Sequence, residues 1–253
     1  MKKLIIFIIL FFISFNYILA AETKITAKDY KIAASDGFAI NATLKYPKIK
    51  GKMNYSTVVL LHSLGYTSEW WENLPDELLK NGYAVVTIDF RGHGKSIYNQ
   101  KLIRVSWKSL TNKAYSKFPN DVISVVNYIQ NENKRVFFDN WAIIGSDLGA
   151  DTAIYVANQI SNKPKTIVML SPAVSVKGLY VPVKLAELNL DILSIVGSKD
   201  INGKEANNYL KKFAQATYAE YMSESTSTGM LMLKSDKTLV NFITSWINQY
   251  LQQ

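Results

Sequence analysis

The chain has 253 residues, the length of one large α/β domain, and no shift in composition marks an internal linker. An apolar share of 48% with 15 Tyr, 11 Phe and 5 Trp is enough for a sizeable core, so a disordered chain is excluded. The absence of Cys removes thiol nucleophiles, disulfides, thiolate metal sites and iron–sulfur clusters, and with two His no zinc site is expected; the +9 net charge is carried by dispersed lysines.

The first twenty residues, "MKKLIIFIILFFISFNYILA", place two lysines before an apolar run and small residues at the end. That is the layout of a secretory signal peptide, so residues 1–20 are set aside and 21–253 are read as a single domain. Export to the periplasm or exterior follows, with an uncleaved N-terminal anchor as the alternative. The lysines then form a solvated surface with, at most, a weak attraction to anionic envelope surfaces. No recognition helix or RNA-binding motif accompanies them, so no nucleic-acid partner is expected.

Next, "DYKIAASDGFAINATLKYPK" alternates around Asp36-Gly37 and predicts an antiparallel hairpin. Continuous apolar runs at 57–62, 83–89, 141–145, 166–170 and 192–197 predict strands covered on both faces. Between and after them come the helical patterns "WENLPDELLKNG", "PNDVISVVNYIQNEN", "LGADTAIYVANQI", "GKEANNYLKKFAQA" and "DKTLVNFITSWINQYL". The alternation implies a mostly parallel sheet with helices on both faces, whose ligands sit beyond the carboxyl ends of the strands.

Four segments at those strand ends, in order, resemble the α/β-hydrolase superfamily, and the resemblance spans nearly the whole chain after the leader. "LLHSLGYTSEWW" is similar to the His-Gly loop after the third strand, with His62, Ser63 and Gly65; it implies Leu64 N–H as one oxyanion donor. "IDFRGHGKS" matches the family's turn after the fourth strand through Asp89, Arg91, Gly92, His93, Gly94 and Ser96, where the His is normally structural. In "WAIIGSDLGADTAIY", Gly145 and Gly149 flank Asp147 at −2 and +2. A strained elbow tolerates only small neighbours, so the register centres Asp147, not Ser146, where the family has its Ser nucleophile, and Leu148 N–H becomes the second oxyanion donor. "ILSIVGSKD" places Asp200 at the family's acid.

The pattern departs from the family at the base. The family's catalytic His follows the last strand; here the matching segment "YMSESTSTGM" puts Thr228 there, and no His occurs after residue 93. A carboxylate nucleophile is known from dehalogenases and epoxide hydrolases of this fold, but these need the His and carry a helical cap. Only about twenty residues, "SPAVSVKGLYVPVKLAELNLD", separate the sixth strand from the next, too few for such a cap. The capless serine-hydrolase and dienelactone-hydrolase-like branch is the nearest match. The expectation is an exported protein without turnover, whose cleft between Asp147 and Asp200 serves a small-molecule ligand or a partner, and which needs no cofactor. The alternative is an ester or acyl hydrolase working through Asp147 or a reorganised site, with His62 or His93 as a substitute base and an intact oxyanion hole.

Overall fold

The computed structural model describes residues 24–251. The leader assigned to residues 1–20 therefore lies outside the described residues. Along the chain run β1 (Ile25–Ala33), β2 (Ala39–Pro47), β3 (Tyr55–Leu61), α1 (Leu74–Lys80), β4 (Ala84–Asp89), α2 (Asn112–Tyr115), α3 (Phe118–Glu132), β5 (Val136–Ser146) and α4 (Leu148–Gln159). Then follow β6 (Thr166–Leu170), β7 (Ser175–Val176), β8 (Leu179–Tyr180), α5 (Val181–Ala186), β9 (Asp191–Gly197), α6 (Ile201–Leu210), β10 (Tyr218–Ser223), α7 (Met232–Ser235) and α8 (Leu239–Tyr250).

Eight strands form one sheet in the order β1-β2-β4-β3-β5-β6-β9-β10. β2 pairs antiparallel with both β1 and β4, and every other pairing in this sheet is parallel. This is the expected architecture, an antiparallel N-terminal hairpin opening a mostly parallel sheet. Between β6 and β9 stand only the β7–β8 hairpin and the six-residue α5, so no large cap is present.

The strands read as unbroken apolar runs because successive side chains enter two different cores. Val59, Leu61 and Ile143 pack on one face with Val122, Val125 and Ile129 of α3 and Ala153 and Ile154 of α4. Val58, Leu60 and Ile144 pack on the other with Leu74 and Leu78 of α1 and Val240, Ile243 and Ile247 of α8. Each fully buried Val, Leu or Ile contributes about 1.5–3 kcal/mol, so the doubly covered centre of the sheet is rigid where its loops emerge.

Two strand boundaries differ from the sequence expectation. β5 begins at Val136 instead of Trp141, because Ser56 pairs with Phe137 while Thr57 pairs with Trp141. Residues 138–140 bulge out between those pairs, and Asn140 Nδ2 donates to Ser56 Oγ at 2.9 Å across the bulge. β10 alternates buried and exposed residues, since it is an edge strand, and offers no continuous apolar run to find.

β3 leads to β4 on one side and neighbours β5 on the other, so the winding reverses between β3 and β5. The crevice at that reversal, outside the carboxyl ends of the strands, is where a ligand site is expected.

Candidate active site

Asp147 joins β5 directly to α4 with φ 50° and ψ −118°. A residue with a Cβ enters that region only under constraint. Three features supply it. The Asp147 N–H donates to the Leu170 carbonyl at 2.9 Å. A Cβ at Gly149 would strike the Leu61 carbonyl, and one at Gly145 would strike the Gly149 carbonyl. The elbow therefore closes only with small residues on both sides of Asp147.

The side chain of Asp147 turns back onto the loop after β3. Its Oδ2 accepts the Leu64 N–H at 3.1 Å, and the Leu148 N–H acts on the same carboxylate electrostatically. One of the two backbone donors that the resemblance assigns to an oxyanion is thus bonded to the protein's own carboxylate. Burial raises the Asp147 carboxyl above its ordinary value, and the negative charge of Asp200 adds to the rise; the two N–H donors oppose it.

Ser146 faces the other way. It is fully buried, accepts the Met230 N–H at 2.7 Å and shares a hydrogen bond with Ser63 Oγ at 2.6 Å. Next to it, Ser171 ends β6 with φ 51° and accepts the Gly229 N–H on its Oγ at 2.7 Å. These hydroxyls tie the segment after β10 to the carboxyl ends of β5 and β6. Thr228 stands just before that tie, exposed, and makes no capping bond to the short turn that follows.

Asp200 caps α6. Its Oδ1 accepts the Gly203 N–H at 2.8 Å, the role expected of an Asp at this position. Its Oδ2 is buried and has no hydrogen-bond partner among the described residues. Asp147, Asp200, Thr228, Ser63 and Ser171 line one cavity of about 300 Å³, with Tyr66, Pro172 and Leu231 on its walls. A larger open depression of about 510 Å³ lies over β1, β2 and β4, away from the winding reversal, and its lining includes none of the elbow residues.

Both histidines are occupied by backbone. His62 is fully buried, donates from Nδ1 to the Ser63 carbonyl at 2.8 Å and accepts the Phe90 N–H on Nε2 at 3.0 Å. Burial, with help from neighbouring His93, pushes its pKa down to about 4. His93 donates from Nδ1 to the Arg91 carbonyl at 3.1 Å, accepts the Gly65 N–H at 3.1 Å and stacks on Trp107. Burial lowers its pKa as well. Neither ring has a nitrogen free to take a proton from a group in the cleft, so the substitute-base expectation fails on geometry.

The rest of the Asp89–Ser96 turn holds the loops together. Asp89 accepts the Ser68 and Lys95 N–H groups, each at 2.8 Å, and Ser96 Oγ donates to the Asp89 carbonyl at 2.7 Å. Arg91 grips Asp121 of α3 through Nε and Nη2, both at 2.6 Å, and Asp36 of the hairpin turn through Nη1 at 2.8 Å. Gly92 and Gly94 carry positive φ within the turn.

One buried acid escaped the sequence reading. Asp151, fully buried one helical turn after Asp147, accepts the Ala173 N–H on Oδ1 at 3.1 Å and leaves Oδ2 unpartnered among the described residues. Burial first, then the charge of Asp147, raises its pKa well above the ordinary value. The available signal was its place on α4, where Leu148 to Ile154 are all buried.

A family model described as "Serine aminopeptidase, S33" matches residues 53–230. Among solved structures, an esterase from Pyrococcus furiosus is similar at 15% identity, covering 89% of this chain and 91% of its own, with a TM-score of 0.68. A dienelactone hydrolase from Anabaena variabilis shares 14% identity over 89% of this chain and 99% of its own, with a TM-score of 0.69. An esterase from Exiguobacterium antarcticum shares 13% over 87% and 100%, with a TM-score of 0.68. At such identities the likeness is one of fold. No curated protein matches in sequence.

Proposed function

Because the chain belongs to the serine aminopeptidase S33 family of α/β-hydrolases, the groups at its reactive positions decide what it does, and we propose that they make it a non-catalytic binding protein. The observation that carries this reading is the Asp147 carboxylate bonded to the Leu64 N–H, one of the two donors the resemblance assigns to an oxyanion. Acyl transfer needs those donors about 2.7–3.1 Å from a developing oxyanion. A resident anion in the same place competes with every substrate oxyanion.

The base is missing on the same reading. Thr228 stands where the family has its His, and both histidines of the chain are held neutral by backbone bonds. A Ser hydroxyl or a water molecule in the cavity has no imidazole beside it to take its proton. What remains is the cavity over Asp147 and Asp200, which serves as a ligand site in an exported protein; export rests on the composition of the first twenty residues.

The test is hydrolysis of a panel of short-chain aryl esters by the purified protein, by Asp147→Ala, and by Asp147→Ser combined with Thr228→His. Wild type and Asp147→Ala are expected at background while the double replacement gains turnover, because the elbow, Asp200 and the two N–H donors are in place. Turnover by wild type that Asp147→Ala abolishes makes Asp147 a working catalytic residue and ends the proposal.

A further inference from the structure

We infer that the face at the amino ends of β3 and β5, opposite the cavity, docks on an anionic phospholipid surface.

Dispersed in the sequence, lysines converge in the fold where three segments meet. The Lys48 N–H donates to the Lys24 carbonyl at 2.7 Å, the Ile49 N–H to the Tyr55 hydroxyl at 3.2 Å, and the Tyr55 N–H to the Arg135 carbonyl at 2.8 Å. The start of β1, the connection from β2 to β3 and the start of β5 are thereby knit into one surface. It carries Lys24, Lys48, Lys50, Lys52, Lys134 and Arg135 against two acids, Glu132 and Asp139. None of these six cations takes part in the ion pairs found among the described residues. Lys52 is half-buried and donates to the Gly82 carbonyl at 3.3 Å; the other five are exposed.

The second observation is the apolar side chains among those charges. Met53 is 67% exposed, Ile25 44%, Phe137 41% and Ile49 40%. Ile25 pairs with Pro47 and Phe137 with Ser56, so all four stand on the same rim as the cations. An acidic protein or a soluble polyanion would match the lysines and leave these side chains in water. An anionic membrane matches both, since its headgroups attract the cations and the boundary with its acyl chains takes the apolar groups. An open recess of about 470 Å³ between Thr26, Tyr46, Lys48, Lys50 and Arg135 has room for a headgroup phosphate.

The path of the chain points the same way. The apolar run at 4–13 leads into the described domain at Lys24, itself one of the six cations. A retained leader would hold this face beside the headgroups. β3 and β5 start here and run parallel toward the elbow, so a docked molecule keeps its cavity turned to water.

The chain has no Cys, so one introduced thiol can carry a polarity-sensitive dye. Met53→Cys and Leu102→Cys are labelled separately in the full-length protein; Leu102 is 74% exposed in the loop after β4, at the other end of the sheet. Each is mixed with vesicles of equal parts phosphatidylglycerol and phosphatidylcholine, or of phosphatidylcholine alone. The inference expects a blue shift at position 53 with the anionic vesicles only, reversed by about 0.5 M salt, and none at position 102. Because the dye reports position 53 itself, attachment through residues 1–20 alone gives no shift. At a salt concentration that leaves about half the label docked, Lys48→Gln combined with Lys50→Gln should lower the ratio of docked to undocked label about twentyfold, each cation near such a surface being worth about fivefold. Lys101→Gln combined with Lys108→Gln, equal in charge, should leave the ratio unchanged. Thermal melts confirm that each variant is folded. No shift on anionic vesicles, an equal shift on phosphatidylcholine, an equal shift at position 102, or the same loss from both lysine pairs overturns the inference.

Discussion

Replacing Asp147 by Ala and by Gly separates the two forces acting at the elbow. The residue is held at φ 50° and ψ −118° while its carboxylate accepts the Leu64 N–H. Both variants lose that bond, nominally about 1.5–3 kcal/mol for a charged acceptor but reduced by the desolvation that raises the Asp147 pKa. Only Gly also loses the Cβ, whose strain in such a region is about 1–3 kcal/mol. The extra freedom of Gly in the unfolded chain takes back about 0.5–1 kcal/mol. Gly is therefore expected to match or exceed the stability of Ala, by up to about 2.5 kcal/mol or up to roughly 10 °C in melting temperature for a domain of this size. The assay is urea unfolding of wild type and both variants, repeated at several pH values. An acid with a raised folded pKa binds its proton more tightly in the native state, so its contribution is greatest below the unfolded value of 3.8 and falls as pH rises through the interval above it. The difference between wild type and Ala should shrink across that interval. Ala more stable than Gly by about 0.5–1 kcal/mol, the unfolded-state cost of Gly alone, would show that the elbow is unstrained and that this account of Asp147 is wrong.

Two further measurements follow from the buried groups. Imidazole NMR should find His62 neutral with the proton on Nδ1 down to pH 5.5, and His93 titrating below its ordinary 6.5. Because the His62 pKa falls from 6.5 to about 4 on folding, about 3 kcal/mol of stability is full above 6.5 and lost as pH falls toward 4; a midpoint above 6 for His62 contradicts its burial. Arg91→Leu leaves Asp121 buried without its partner and should cost about 3–5 kcal/mol, roughly 6–20 °C in melting temperature. Burial already pushes Asp121 up to about 6 against the pull of Arg91, so protonation relieves the variant and its loss should be smaller at pH 4 than at pH 8. A loss below about 1 kcal/mol, or one independent of pH, refutes this role for the Arg91 network.

The elbow was legible in the sequence because steric demand is written in residue size: Gly145 and Gly149 fix the register around Asp147, which stands between β5 and α4 accordingly. The alternating faces of β1 and β2 and the apolar central strands were legible for the same kind of reason, periodicity. What sequence could not supply was rotamer and partner. An Asp at the elbow reads equally well as a nucleophile and as an anchor until its Oδ2 is seen on the Leu64 N–H. Asp151 looked like one more polar residue on a helix, since burial on both sides of α4 depends on the β7–β8 hairpin and α5 packing over it. β10 was hidden by its edge position, where half of each strand faces solvent.

The hydroxyl bonds explain how such a site stays ordered without an imidazole at its centre. A His placed between the segment after β10 and the elbow would couple the two by hydrogen bonds. Here the coupling runs lower, through backbone: Gly229 N–H to Ser171 Oγ and Met230 N–H to Ser146 Oγ, with Ser63 continuing the chain to the loop after β3. Above that layer, Asp147 pulls the same β3 loop toward α4 through the Leu64 N–H. On the non-catalytic reading, the Leu64 N–H holds a resident carboxylate instead of a passing charge, and the strain at Asp147 is retained by a bond that turnover would have to break.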